Sequence, residues 1–292
     1  MDIVITYVDG NDPVWRSDYE KYTNKPLLEK RFRDWGTLKY LMRGIEKNMP
    51  FIKNVYLVVS GETQVPAWVN RDKLHIVLHK DIIPEKHLPV FNSCAIEMFL
   101  HKINGLDEKY LYFNDDIFPV LPCAESDFFE NGKGKIGLSK HLFAPNLFKR
   151  QTRYSYKLAC RALGKKPSCL FLRPQHICTP MLKSECAAVS EALGEDIAKS
   201  LSGVRQDGNI NQYLFLDYMY MKGMIVNRKL SRKHLSMALA SPQAIAAEIM
   251  NPSRQLLCIN DVQMNDGKFE AVYKAMNDAF EQIFPDKSKF EL

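Results

Sequence analysis

The stretch Tyr110-Leu111-Tyr112-Phe113-Asn114-Asp115-Asp116 decides how this chain is read, because a short β-rich run ends in an amide and two adjacent carboxylates. Aromatic and aliphatic side chains from Tyr110 to Phe113 favour a buried strand, and Ile117-Phe118-Pro119 resume the apolar character beyond the acids. Two readings of Asn114-Asp115-Asp116 stand side by side. All three residue types favour turns, so a plain turn is one. Adjacent carboxylates in an apolar run also repel each other and lose hydration, so a compensating cation such as Mg²⁺ or Mn²⁺ is the other.

Outward from that stretch, Val55 to Val59 and Leu74 to His79 read as further buried strands, with Leu38, Leu41, Met42 and Ile45 at helical spacing before them. Such alternation predicts an α/β fold with a mostly parallel central sheet flanked by helices. Ile3 to Val8 is another strand, broken by Asp9-Gly10-Asn11-Asp12-Pro13. Ligands bind at the carboxyl ends of strands in open α/β sheets, so Asp9 and Asp12 fall where a donor molecule sits; a surface turn accounts for the same residues. His75 and His79 share one face of their strand and are read as structural or surface histidines. Asn92 and Ser93 cap a predicted helix running to Gly105, with Glu97 in its first turns.

Residues 14–30 give no clear pattern. In the second half, a strand and irregular hairpin are expected over Asp127 to Lys140, and a basic helix over Arg153 to Leu163. Thr179-Pro180 opens a predicted helix through Leu182, Cys186 and Leu193, and Asp196 to Gly203 forms another. Asn211 to Met221 is aromatic and reads as core. Leu256 to Asp261 is a second strand-to-acid junction. Phe269, Val272, Tyr273, Met276, Ala279, Phe280 and Ile283 form an amphipathic helix, expected to dock on its own domain before any membrane. The organisation expected is one catalytic domain: an α/β half to about residue 125, a second half from about 126 to 265 that carries a helical insertion, and a terminal helix over 266–292.

With 46% hydrophobic and 25% charged residues, the 292-residue chain has the composition of a soluble globular protein. Its net charge of +6 suits anionic ligands and is too small to argue for nucleic acid. Lys133, Lys135, Lys140, Lys149, Arg150 and Arg153 alternate with apolar residues, the pattern of a solvated face. Seven cysteines include no CxxC pair, which argues against a zinc ribbon and for reduced thiols in the cytoplasm. The opening apolar run is too short for a signal peptide, and no stretch has the length of a membrane span.

Four blocks together resemble the Stealth family of sugar-phosphate transferases: Asp2 to Pro13; Arg31-Phe32-Arg33-Asp34 through Leu88 to Ser93, Ala95-Ile96-Glu97 and Asn114-Asp115-Asp116; His176 with Arg205; and Cys258 to Asp261. Tyr7 stands where the family more often has Trp, and Ile177-Cys178 departs from its usual Met-Pro. The resemblance implies a fold similar to the GT-A nucleotide-sugar transferases. It also implies transfer of a hexose 1-phosphate from a nucleotide sugar to a glycan hydroxyl, forming a phosphodiester and releasing a nucleoside monophosphate. Under it, His176, Arg205 and Asp116 are catalytic, and Asp115 and Asp116 hold Mg²⁺ or Mn²⁺. Asp9, Gly10, Asp12, Arg33, Asn92, Glu97, Asn114 and Arg153 bind the donor. An oligo- or polysaccharide acceptor, lipid-linked at the inner face of the membrane, is the implied partner. The residues alone equally permit a metal-dependent glycosyltransferase releasing a nucleoside diphosphate, and a non-catalytic glycan-assembly subunit.

Overall fold

The computed structural model describes residues 1–25, 32–262 and 264–292; Arg31 of the second block lies outside them. Along the chain run strand β1 (Asp2–Thr6), helices α1 (Pro13–Thr23) and α2 (Leu38–Asn48), and strands β2 (Val55–Val59) and β3 (His75–Leu78). Next come α3 (His79–Ile82), α4 (Ser93–Glu97), β4 (Lys109–Asn114), β5 (Ile117–Pro119), α5 (Glu125–Phe128), β6 (Phe129–Glu130), β7 (Lys133–Ile136) and β8 (Leu138–His141). Then follow α6 (Leu147–Ala162), β9 (Phe171–Pro174), β10 (Thr179–Leu182), α7 (Lys183–Ala192), α8 (Gly194–Ser200) and α9 (Tyr213–Met221). The chain closes with β11 (Ile225–Asn227), β12 (Arg232–Ser236), α10 (Pro242–Met250), β13 (Leu256–Asn260) and α11 (Asp266–Ile283).

The fold is α/β around a mainly parallel five-stranded sheet in the order β10-β4-β1-β2-β3, as expected. The interior strands are the most apolar runs: Ile3 to Ile5, Val55 to Val59 and Tyr110 to Phe113 are all buried. No helix among the described residues is long and apolar enough to cross a membrane.

Contacts divide the chain into two compact units, each discontinuous in sequence. Unit 1 comprises Met1–Val4, Val77–Tyr112 and Ser126–Leu230; unit 2 comprises Ile5–Ile76, Phe113–Glu125 and Ser231–Leu292. In unit 1, α9 packs on α6, and Tyr213 to Met219 are buried, so the aromatic run is core. Unit 2 carries the three-stranded sheet β12-β13-β5 and packs α10 on α11. The apolar stripe of α11 is used there: Val272, Met276, Ala279 and Phe280 are buried, with Phe280 stacked on Tyr40 and tilted against Phe118. The docking expectation for this helix therefore holds, and its apolar face is committed to its own unit.

Several local expectations are corrected. Thr179 to Leu182 is a strand, pairing antiparallel with β4 so that Thr179 faces Tyr112 and Leu182 faces Lys109. An edge position tolerates Pro180, and a four-residue apolar run followed by a helix does not reveal its own period. The helix after Asn92 stops at Glu97 and gives way to a short tight turn over Leu100–Lys102 before Gly105, whose φ of 76° suits glycine. His79 is not on the strand with His75 but opens α3, buried; that burial pushes its pKa down to about 4. Helix α6 begins six residues before Arg153, capped by Asn146. Helix α1 went unseen because only Trp15 and Tyr19 mark its buried face, although Asp12 as cap and Pro13 in its first turn were visible.

Candidate active site

In unit 2 the carboxylates are delivered by strand ends. β4 ends at Asn114, half-buried, and Asp115 and Asp116 follow before β5; β13 ends at Asn260, followed by Asp261. Cys258, opposite Ile117 on β5, donates its thiol proton to Asp116 Oδ2 at 3.7 Å, and burial keeps that thiol protonated. Asp34 and Asp261 join the pair around a cavity of about 160 Å³ that Tyr7, Arg33 and Trp35 also line. Trp35 Nε1 donates to Asp261 Oδ2 at 3.1 Å, while Asp261 Oδ1 is buried without a hydrogen-bond partner among the described residues. Arg33 lies over the Phe269 ring and reaches Asp266 at 3.1 Å.

These acids disfavour one another. Asp115 is pushed up to about 7, by desolvation first and then by Asp116, Asp34 and Asp261. Asp115 keeps exposed surface, while dense protein and three other carboxylates surround its carboxyl. Asp34 is raised by desolvation and Asp9, and Asp261 by desolvation and Asp116. The Tyr7 hydroxyl bonds Asp34 and is itself held protonated by burial and by Asp34, Asp9 and Asp115. A cluster of hard oxygen donors that raise each other's pKa, with one buried oxygen unpartnered, fits a divalent cation of the Mg²⁺ or Mn²⁺ kind.

The loop after β1 is fixed from within unit 2. Gln64 accepts from Asp9 N at 2.7 Å and donates to Asp9 O at 3.0 Å and to Asp12 Oδ2 at 2.8 Å. Asp12 also accepts from Thr63 at 2.6 Å and caps α1 through Val14 N at 2.9 Å. Both its oxygens thus accept bonds that fix the loop. Gly10 N donates to Phe32 O at 2.9 Å, and a Cβ on Gly10 would lie 2.0 Å from that oxygen, so only glycine fits. Asp9, half-buried, keeps its side chain at the lip of a second hollow shared with Lys39, Gln64 and Trp68.

In unit 1, His176 sits in the turn between β9 and β10, half-buried. Gln175 anchors that turn, bonding Gly137 O through its backbone and Leu230 N and O through its side chain. Arg205 lies in the loop between α8 and α9, donating to Ser93 Oγ at 2.6 Å; its Nε is buried with no hydrogen-bond partner among the described residues. Asn92 holds this loop: it caps α4 through Cys94 N and donates to Ser202 O at 3.2 Å and Asn209 Oδ1 at 3.1 Å. Fully engaged and 2% exposed, Asn92 organises the loop. Arg153 is half-buried on α6, two residues from Gln151, which donates to Gln206 O in the same loop.

Glu97 is buried beneath this group. Its carboxylate accepts from Gln212 N at 2.8 Å and from Tyr112. Desolvation raises it to about 7 against the opposing pull of the Gln212 bond, Arg205, Tyr112 and His176. Because this folded value exceeds the ordinary 4.5, the native state keeps a proton that the unfolded chain gives up between pH 4.5 and about 7. Stability therefore falls as pH rises through that window. Glu97→Gln should flatten the fall, by up to about 3 kcal/mol, in urea midpoints compared at the two ends of the window. An unchanged slope would mean that Glu97 is already ionised throughout.

Profiles described as Stealth protein CR2, conserved region 2, and Stealth protein CR4, conserved region 4, match residues 31–136 and 247–292. The receptor polysaccharide phosphotransferase WefC of Streptococcus oralis is 32% identical in an alignment covering 100% of this chain and 99% of the relative. The chain belongs to the Stealth family. Another Stealth relative, the capsular polysaccharide phosphotransferase WcwK of Streptococcus pneumoniae, is 31% identical with 100% and 99% covered. Among solved structures, the galactosyltransferase LgtC in complex with donor and acceptor sugar analogs aligns over 99% of this chain and 98% of its own, at 12% identity and TM-score 0.41. As a Stealth protein the chain is a sugar-phosphate transferase. Stealth region 2 contains Asp34, Glu97, Asp115 and Asp116, and region 4 contains Asp261; His176, Arg205 and the Asp9 loop lie outside both.

Asp34 and Asp261 were missed as site residues. Each carried a signal, Asp34 in the Arg31-to-Asp34 motif and Asp261 at the second strand-to-acid junction, but their proximity to Asp115 and Asp116 is a tertiary fact.

Proposed function

We propose that the enzyme transfers hexose 1-phosphate from a UDP-sugar to a hydroxyl of a capsular or exopolysaccharide acceptor. The acceptor oxygen attacks the phosphorus that bears the sugar, the bridging oxygen to the nucleotide phosphate departs, and uridine monophosphate leaves. The carboxylate-lined cavity of unit 2 is the observation that carries this reading. Asp116 and Asp115 would hold a Mg²⁺ or Mn²⁺ ion, which would supply charge neutralisation on the diphosphate. Asp9 and its loop through Gly10 and Asp12, together with Arg33, Asn92, Glu97 and Asn114, hold the nucleotide sugar. Arg205 and Arg153 offer forked donors to non-bridging phosphate oxygens. His176 takes the proton of the acceptor hydroxyl. The acceptor is lipid-linked and meets the enzyme at the inner face of the membrane.

The test incubates the purified protein with nucleotide sugars, a glycan acceptor and Mg²⁺ or Mn²⁺, and identifies the nucleotide released. Nucleoside monophosphate with a phosphodiester in the product is expected. Nucleoside diphosphate would convert the assignment to ordinary glycosyl transfer. Chelation should abolish turnover and either ion should restore it; full activity in excess chelator would remove the metal.

A further inference from the structure

From Asn131 to Ser184 the chain holds twelve Lys and Arg residues and no Asp or Glu, although the whole chain contains thirty-four acids. That run folds within unit 1, from β7 to the end of β10. β8 pairs antiparallel with β9, His141 opposite Phe171, so Leu142 and Leu170 leave the ladder at the same end. Leu142 is 43% exposed, Phe143 74% and Leu170 37%, three large apolar side chains at one end of the β8–β9 ladder.

Positive charge surrounds that end. Lys140 is exposed on β8, and Lys165 and Lys166 are exposed in the segment leading to Leu170. Lys149 and Arg173 lie close enough to lower the pKa of His141, after burial, which places their charge beside the tip. On α6, Arg150, Tyr154, Lys157 and Arg161 are exposed at helical spacing and extend the basic face; Asp207 pairs with Arg150 and Asp196 with Arg161. A solvated basic face alone needs no apolar tip. The pairing of the two is the pattern of an interfacial binder, whose apolar side chains enter the acyl boundary while lysines meet anionic headgroups. Two leucines favour hydrocarbon over sugar rings, which stack on aromatic faces.

We propose that the β8–β9 end of unit 1 docks the enzyme on an anionic bilayer, with Leu142, Phe143 and Leu170 as apolar anchors and Lys140, Lys149, Lys165 and Lys166 as headgroup contacts. This deepens the lipid-linked acceptor reading and rests on it only for what the bilayer presents.

The test sediments the full chain with phosphatidylcholine vesicles, with and without phosphatidylglycerol, and separately measures turnover on a soluble acceptor. Wild type should partition to the anionic vesicles and be released by salt. Leu142→Ser with Phe143→Ser should lower partitioning about tenfold or more. Lys165→Ser and Lys166→Ser should lower it roughly fivefold each. All should keep soluble turnover and wild-type circular dichroism, since the replaced side chains are exposed. Equal sedimentation of wild type with and without vesicles would overturn the proposal. So would a loss caused by the lysine changes and not the apolar ones, which marks a general polyanion surface. Soluble turnover reports on phosphotransfer independently, so failure of docking and failure of the reaction are told apart.

Discussion

Asp116→Asn is expected to lower turnover at least ~10²-fold while leaving the fold intact. The substitution keeps the shape of the side chain and removes one negative charge from a group of carboxylates that already repel one another. Cys258 donates to Asp116 Oδ2 and Asp116 is the second cause of the raised Asp115 pKa, so the change relieves repulsion and stability should hold or rise. Under the proposed mechanism it removes charge that a bound cation would present to the diphosphate. Turnover measured against Mn²⁺ concentration should show a weaker metal response as well as a lower ceiling, with a urea midpoint no lower than that of the wild type. His176→Ala should match the loss in turnover without altering the metal response. Near-normal turnover in either variant would remove that residue from the mechanism.

Arg43→Ala is expected to be the most damaging change away from the site, costing roughly 3–5 kcal/mol. Arg43, on α2, makes a forked contact with Glu291, Nε to Oε1 at 2.9 Å and Nη2 to Oε2 at 2.8 Å. It also donates to Phe284 O at 2.7 Å and to Glu281 at 3.3 Å, tying the chain's last residues to unit 2. The side chains are only 7% and 5% exposed, so alanine leaves a buried carboxylate unpaired. Burial pushes the Glu291 carboxyl up, but its bonds to Arg43 and Ser288 prevail and hold it below 4.5. A carboxyl held low stabilises above its unfolded value and loses that contribution as pH falls through the folded one. The gap in urea midpoint between wild type and Arg43→Ala should therefore narrow in acid. A double replacement, Arg43→Met with Glu291→Leu, should recover much of the loss; if it does not, the defect is packing and not an orphaned charge. The same contacts mean that deleting residues 266–292 would unfold unit 2, so membrane binding is better tested at the β8–β9 end than by truncation.

The strand ends that carry the carboxylates were legible because their signal is local: a buried apolar run terminated by acids needs only a few neighbouring residues to be seen. Helix α2 was equally plain, its buried Leu38, Leu41, Met42 and Ile45 keeping the helical period. Thr179 to Leu182 was misread because four apolar residues fit a strand or a helix start, and only pairing with β4 decides. The capping roles of Asn92 and Asp12 were not separable from donor binding in the sequence, because a polar residue at a loop advertises function and capping in the same letters. His176 and Arg205 rested on family resemblance alone, since no spacing links residues that far apart.

By itself the sequence determined the α/β class, the family, and the two strand-to-acid junctions, since all three follow from short runs of residue type and order. Only the tertiary structure decided that Asp34, Asp115, Asp116 and Asp261 line one cavity, that Glu97 lies buried under the influence of Arg205 and His176, and that α11 spends its apolar face inside unit 2. Desolvation and mutual charge act across space, between residues as far apart in the chain as Asp34 and Asp261, and burial is a property of what packs above a side chain. Neither is written in the order of neighbouring letters.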